Sequence, residues 1–450
     1  MGPLGETCSS IPRARRRGDA SGRAERRGDR ERGLHLKKSQ GDDMAEEKIF
    51  NRWMVVLGAI LIQLCLGGIY IWSVFRKPLE KAIEDGGLGL TPSQATLPFS
   101  LVLIFFAIAT ILGGRWQDKA GPRLVSTIGG LLLGAGLLIS AFGKSFPALV
   151  IGYGIIGGIG IGFTYVCPVS TGIKWFPDKR GLITGLSVAG FGAGALILAP
   201  VANALILSMG IFNTFMTLGI IFLVVVVIAS MLLRNPPEGY CPIGWTPPEK
   251  VATAKDSYTT GEMLKTPQFY AIWVMYFFGC LAGLMIIGQT SPIGQELAGY
   301  TATTAAVAVM LLSIFNGAGR IFWGRVSDGL GRMKTLFVMF MLCGIAMLLY
   351  NVIPVFPAYY WIGVAVVGAC FGGYLALFPA VTADFFGTKS IGGNYGFVFL
   401  AYGVGGLVGP QFAARVLEAT GGYTVAFIVT GVLCLIAAGI TFATKAPKEA

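Results

Sequence analysis

Of the 450 residues, 54% are hydrophobic, 13% are charged and 65 are glycine, whereas an ordinary soluble domain carries about 25% charged residues. That composition argues against a soluble enzyme and places the chain in lipid. The formal net charge of +12 does not point to nucleic acid, because the excess base lies in short connectors and in the first 43 residues rather than in one continuous patch. His35 is the one histidine and lies in that N-terminal stretch, while Cys65, Cys167, Cys280, Cys343, Cys370 and Cys434 fall inside apolar runs, with no CxxC pair or Cys/His cluster. No metal, cofactor or disulfide framework is expected from such a set.

In chain order, residues 1–46 form a basic tail, with nine arginines in the first 43 residues, and read as disordered. Met44 would be an ordinary start just before the first helix, and the tail has no apolar segment of the kind a secretory signal needs. Apolar stretches long enough to cross a hydrocarbon core of roughly 30 Å then predict twelve helices, over 53–75, 93–113, 124–142, 147–171, 182–207, 210–233, 269–290, 302–323, 335–352, 358–381, 392–414 and 422–443. Thr91, Pro92 and Gln94 predict the second start, as N-cap, first helical residue and capping-box partner. The polar, proline-rich stretch 234–268, with Pro236-Pro237 and Pro247-Pro248, separates 47–233 from 269–450, six helices on each side. Ten Lys and Arg occupy the short connectors on the side of Arg115 and Lys179, against five on the other. By the positive-inside rule that side and both termini are cytoplasmic.

An even split invites a search for a repeat. Gly114, Asp118 and Gly121 recur as Gly324, Asp328 and Gly331, each 210 residues on, in connectors that also carry Lys119, Arg123 and Arg332. Lys179 and Lys389, and Pro200 and Pro410, share that offset, and Pro168 and Pro379 are 211 apart. Glycine permits tight turns and an aspartate can cap a helix or pair with a neighbouring base, so the connectors predict a conformational latch. Parallel repeats of this kind place a substrate site near the midplane between the halves. Gly152-Tyr-Gly154-Ile-Ile-Gly157 matches a dinucleotide fingerprint but sits inside a lipid-length helix with no preceding strand, so it predicts helix packing instead. The glycines of 154–162, 185–194 and 403–409 read the same way, as packing or sliding faces.

The paired connectors resemble the loop motif of the major facilitator superfamily, across about residues 50–445. Within that span Ile69-Tyr70-Ile-Trp72-Ser73-Val-Phe75, Lys174-Trp-Phe-Pro-Asp-Lys-Arg-Gly181, Asn235-Pro-Pro-Glu-Gly239, Asn394-Tyr-Gly and Ala401-Tyr-Gly403 are similar to the oxalate/formate antiporter family, itself related to the monocarboxylate transporters. The resemblance implies an all-α membrane protein of twelve transmembrane helices in two pseudo-symmetric six-helix bundles. It also implies an anion-binding arginine in helix eight and a bacterial inner-membrane location, while the lack of any Ser/His/Asp, Cys/His or metal-ligand arrangement in the membrane part argues against enzymatic activity.

Independently, Arg320 is the one charge well inside a predicted span, a position that costs about 2.5–3.5 kcal/mol on insertion scales. With no acid inside the spans, a transported carboxylate is the expected counter-ion, and a guanidinium can bind it through two parallel hydrogen bonds. The alternative is that Arg320 merely snorkels to the interface. Asn316 and Ser313 fall one and two turns earlier on the same face, so Asn316 could orient the guanidinium or bind substrate, or simply bond another helix. Tyr374 and Phe378 on the tenth helix and Tyr165 on the fourth are expected to wall the cavity, with Tyr70 and Tyr402 as weaker candidates.

Members of the resembled family that exchange oxalate are expected to carry a lysine on helix eleven, yet 392–414 contains no Lys or Arg. One cation suits one carboxylate. The expected function is therefore transport of a small organic monoanion of the lactate, pyruvate or formate class; a coupled proton and a monomer are also expected, although no residue decides symport against exchange. Oxalate/formate exchange stands as the alternative, and a channel or a non-transporting nutrient sensor as the alternative of another class.

Overall fold

The computed structural model describes residues 51–176, 180–237, 240, 242, 258–387 and 391–447, without the side chains of 180–182, 184–185, 187–189 and 391–392. The basic tail, Lys179, Lys389 and Pro247-Pro248 lie outside these residues. Twelve helices among the described residues are long and apolar enough to cross a membrane. They are α1 Arg52–Glu80, α2 Pro92–Ala120, α3 Pro122–Gly143, α4 Phe146–Trp175, α7 Pro267–Glu296, α9 Arg332–Val352 and α10 Tyr359–Phe386, with α5 Arg180–Met209, α6 Ile211–Ser230, α8 Ala302–Leu330, α11 Ile391–Thr420 and α12 Thr424–Ala443. The first six and the last six form two bundles. These meet along α2 with α11, α5 with α8 and α1 with α7.

Local chemistry accounts for the ends. At α2 the Gln94 N–H donates to Thr91 Oγ1 at 3.3 Å and the Thr91 N–H to Gln94 Oε1 at 3.0 Å, with Pro92 first in the helix. This reciprocal cap satisfies two otherwise unpaired donors. Thr301 caps α8 from one side alone, accepting from the Thr304 N–H at 3.2 Å. Gly121 and Gly331 adopt φ of 83° and 90°, in the region closed to most side chains. They turn the chain between α2 and α3 and between α8 and α9, and their 210-residue spacing puts the same backbone turn at the same place in each half.

Glycines also set the approach of the helices. A Cβ at Gly158 or Gly162 would meet α2, one at Gly160 would stand 2.6 Å from the Gly129 carbonyl of α3, and one at Gly403 would stand 2.6 Å from Ala107 Cβ of α2. The fingerprint glycines Gly152 and Gly154 likewise pack on α3 and α2.

One boundary differs with consequence for charge. The first span was expected to end at 75, but α1 continues to Glu80 through Pro78, so Arg76 is an interior arginine with no exposure. Arg76, just past the predicted end of the first span, thus joins Arg320 as an arginine within a membrane-length helix. The run Arg76-Lys77-Pro78-Leu79-Glu80 reads as a loop by composition, yet it is tolerated in the helix because partners from other helices neutralise it.

Candidate functional site

A cavity of about 920 Å³ opens between the bundles at the end that bears the Gly114–Arg123 and Gly324–Lys334 connectors, here called the connector end. Thr110, Gly114, Arg115, Asp118 and Tyr165 line it from the first bundle, and Gly317, Arg320, Leu375, Ala376, Pro379, Tyr395 and Phe399 from the second. Most of the wall is apolar with a few polar groups, as a small-molecule site requires. Arg115 and Asp118 stand at its mouth, and Arg320 lies deeper.

Arg320 is mounted on a tightly packed helix pair. A Cβ on Gly372 would stand 2.0 Å from the Asn316 carbonyl oxygen, and one on Gly319 would stand 2.2 Å from the Ala369 carbonyl, so α8 and α10 lie nearly backbone to backbone. From this platform the Arg320 Nε donates to Asn316 Oδ1 at 3.1 Å, and Asn316 itself has no exposure. Ser313, one turn further, donates to the Gly192 carbonyl of α5 across the bundle interface. The polar stripe of α8 thus divides its work: Ser313 joins the halves and Asn316 steadies the guanidinium. Packing that locks a site residue's neighbours is what holds the residue in productive geometry.

Tyrosine hydroxyls lie in the neighbourhood of this charge. Tyr70, Tyr165 and Tyr395 all lie within electrostatic reach of Arg320, and Tyr165 and Tyr395 line the cavity from opposite bundles. Tyr70 and Tyr402 are 2% and 1% exposed and their hydroxyls meet across the halves at 3.3 Å, so they lie behind the cavity wall. Phe399 stacks on Tyr402 at 4.8 Å.

Tyr374 and Phe378 occupy different surroundings from those expected. Tyr374 stacks on Phe340 of α9 at 4.7 Å and Phe378 stacks on Tyr276 of α7 at 4.2 Å; both are unexposed and neither lines the cavity. The offset of the paired prolines, 211 residues, carries Tyr165 to Ala376, and Ala376 does line the cavity. Tyr374, two residues earlier, is turned about 200° around the helix. Phe378 acts at one remove, because the Tyr276 it supports has its hydroxyl 3.4 Å from that of Tyr395.

Tyr395, Phe399 and Thr110 belong to the lining but were not singled out in the sequence. Tyr395 sits in the quoted Asn394-Tyr-Gly run, and Thr110 is 210 residues before Arg320, so the repeat offset was the signal that could have found Thr110.

The connectors hold ion pairs within each bundle. Asp118 lies 3.9 Å from Lys174 of α4, while Arg332 bridges Asp328 at 2.7 Å and Asp384 of α10 at 3.3 Å and donates to Ser327. Lys174 and Asp384 are 210 residues apart, so the same positions link the connector to the fourth helix of each half, with the charges redistributed. Arg123 reaches Met231 Sδ, Lys119 is exposed, and Gly114 and Gly324 leave open space around a notional Cβ, with only Val166 near Gly114 at 3.9 Å.

The far end is closed. Ser93 N–H donates to Glu418 at 2.7 Å, Gln411 donates to the Ser93 carbonyl at 2.9 Å and Asn203 to Thr303 at 3.4 Å, each bond crossing between bundles. Arg76 and Lys77 of α1 join Gln289 and Glu296 of α7 there. Two six-helix bundles related by an internal repeat, open at one end and bonded shut at the other around a lined cavity, is the arrangement of an alternating-access carrier.

The Major Facilitator Superfamily model matches residues 53–410. The chain belongs to that superfamily. It is a multi-pass membrane transporter, and its relatives are transporters rather than enzymes. It is 32% identical to the oxalate:formate antiporter of Oxalobacter formigenes over 86% of this chain and 90% of the relative. It is 25% identical to monocarboxylate transporter 12 of Rattus norvegicus over 84% of this chain and 82% of the relative, and 25% identical to apicoplast pyruvate carrier 1 of Toxoplasma gondii over 85% and 89%. Among solved structures, a bacterial homologue of the human lysosomal transporter Spinster, in an inward-facing and unoccupied conformation, superposes with a TM-score of 0.68 at 16% identity, covering 87% of this chain and 96% of that one. That likeness concerns the fold.

Proposed function

We propose that this transporter moves a small monocarboxylate of the lactate, pyruvate or formate class, together with a proton, by rocking its two bundles around Arg320. The observation that carries the reading is the setting of Arg320: a guanidinium in the cavity between the halves, steadied by Asn316 and faced by the Tyr165 and Tyr395 phenols. A carboxylate there would accept two guanidinium hydrogen bonds and one or two from the phenols. The apolar wall would enclose a short carbon chain. The connector end is the cytoplasmic side in this reading, by the distribution of base, so the structure corresponds to an inward-open state in a cell inner membrane.

Labelled L-lactate uptake into proteoliposomes, with and without an imposed inward proton gradient, tests the proposal on wild type and Arg320→Ala side by side. Gradient-stimulated uptake that the substitution abolishes supports it. Normal uptake by Arg320→Ala would return the residue to an interfacial, snorkelling role. The similarity to an oxalate:formate antiporter favours one second reading, exchange of oxalate for formate. It predicts saturable counterflow of labelled oxalate against internal formate, and oxalate competition with any monocarboxylate; a channel would lack trans-acceleration and a sensor would bind without moving anything.

A further inference from the structure

Tyr395 lines the cavity within electrostatic reach of Arg320, yet the bond it makes itself is loose. Its hydroxyl stands 3.4 Å from that of Tyr276, well beyond the usual separation of two bonded hydroxyls. The residue before it is held more firmly. Asn394 has no exposure and both ends of its carboxamide are engaged, Oδ1 accepting from the Thr260 hydroxyl at 2.9 Å and Nδ2 donating to the Tyr258 carbonyl at 3.1 Å. These partners lie at the end of the central loop, before α7 begins at Pro267. That stretch is itself anchored. The Tyr258 N–H donates to the Phe386 carbonyl at the end of α10 at 3.0 Å, and its ring meets that of Phe386 edge-on at 5.8 Å. Thr259 caps the single turn Thr260–Met263, and Met263 is buried. Gly393 completes the fit, since a Cβ there would stand 2.7 Å from Thr260 Oγ1.

We propose that Asn394 is a positioning residue for the carboxylate site: by clasping the end of the central loop it fixes the rotation and height of α11, and so keeps the Tyr395 phenol turned into the cavity. Neighbouring residues on a helix point about 100° apart, so pinning Asn394 against the loop sets the direction in which Tyr395 points. One bond would leave α11 free to pivot about it, whereas two bonds to partners two residues apart resist that rotation. Support from residues that never touch a ligand is what holds a site residue in productive geometry. The Asn394-Tyr-Gly run then divides into a clasp and two cavity-lining residues, Tyr395 and Gly396. Every partner of the clasp belongs to the second bundle or to the loop that leads into it, so it braces that bundle internally. The inference rests on the reading that Tyr395 donates to a bound carboxylate, and it adds the central loop to the parts that shape the site.

The test is labelled L-lactate uptake into proteoliposomes of the full chain, read as KM and as maximal rate per folded molecule. Asn394→Ala should raise KM about two- to tenfold, the worth of one hydrogen bond, with the loss confined to KM. Thr260→Val, which removes one of the two bonds, should raise KM less, and Thr260→Ser, which keeps the hydroxyl, less again. The deciding comparison is the double variant. In a Tyr395→Phe background Asn394→Ala should add nothing to KM, because the hydroxyl it positions is gone, and residues that act through one another are not additive. An unmoved KM in Asn394→Ala, or the same increment with and without the Tyr395 hydroxyl, would overturn the proposal and leave Asn394 as a support of the loop alone. Should Asn394→Ala fail to fold, Thr260→Val carries the same comparison. Wild type that takes up no lactate would sink the substrate reading but not the clasp, which is then read by amide exchange at 395–399. Asn394→Ala should quicken that exchange about two- to tenfold, and unchanged exchange would overturn the clasp.

Discussion

Arg76 and Arg320 are both arginines in lipid-length helices, yet the fold treats them in contrasting ways. Arg76 has no exposure and is gripped by α1, α7 and the start of α12. Arg320 is half-buried, lines an open cavity and leans on Asn316 of its own helix. A guanidinium in a membrane bundle can thus be held among the side chains of several helices or stand on the wall of a cavity. What separates them in the fold is that Arg320 borders the cavity whereas Arg76 does not.

The contrast can be broken most directly at the cavity wall. Arg320→Ala should reduce substrate affinity by about 30-fold to several thousand-fold, corresponding to the roughly 2–5 kcal/mol lost when one partner of a buried charge pair is truncated, with little change in thermal stability. Arg320→Lys should recover little of it because the planar fork is gone. Substrate titration by isothermal calorimetry, beside a melting curve, checks both. Arg76→Ala should reverse the pattern, costing about 3 kcal/mol of stability while detergent-purified folded protein still binds substrate.

Backbone packing supplies the next largest effect. Gly372→Ala drives a Cβ onto the Asn316 carbonyl and should cost about 1–3 kcal/mol as an overpacked contact, while also weakening substrate binding by tilting the platform of Arg320. Gly324→Ala, in open space on the same α8, should do neither, and equal effects at the two positions would refute this packing argument. Tyr395→Phe should raise KM by about two- to tenfold, the worth of one neutral hydrogen bond, whereas Tyr374→Phe, on a ring that faces away from the cavity, should leave KM where it is.

The smallest expected effect lies outside the spans, where the central loop rejoins α7. Glu262 accepts from the Thr259 N–H at 2.8 Å and from its hydroxyl, which hold its carboxyl below the ordinary value of 4.5. A depressed carboxylate stabilises this capped turn above its ordinary value and loses that contribution as pH falls through the lowered one. Amide exchange at 259–263, measured across the acidic range after correction for intrinsic rates, should therefore quicken toward low pH in wild type and lose that pH dependence in Glu262→Gln.

Much of the architecture was legible along the chain, because lipid imposes length and apolarity on every crossing and an internal repeat reports itself at a fixed offset. The capping box at Thr91–Gln94 and the paired turns at Gly121 and Gly331 needed only local chemistry. Arg320 stood out for the same reason, as a charge in an apolar helix, and the fold puts it on the cavity wall. Arg76 did not, since a helix end and a polar loop have the same composition and only neighbours from α7 and α12 show which one the run forms. The side on which Tyr374 falls was equally hidden, because two residues of phase on α10 separate the cavity from the bundle interior. The sequence alone thus determined that twelve helices in two related halves cross a membrane. Tertiary structure decided which rings face Arg320, which end stands open and which acids hold the other shut, because those depend on contacts between helices hundreds of residues apart that no local pattern encodes.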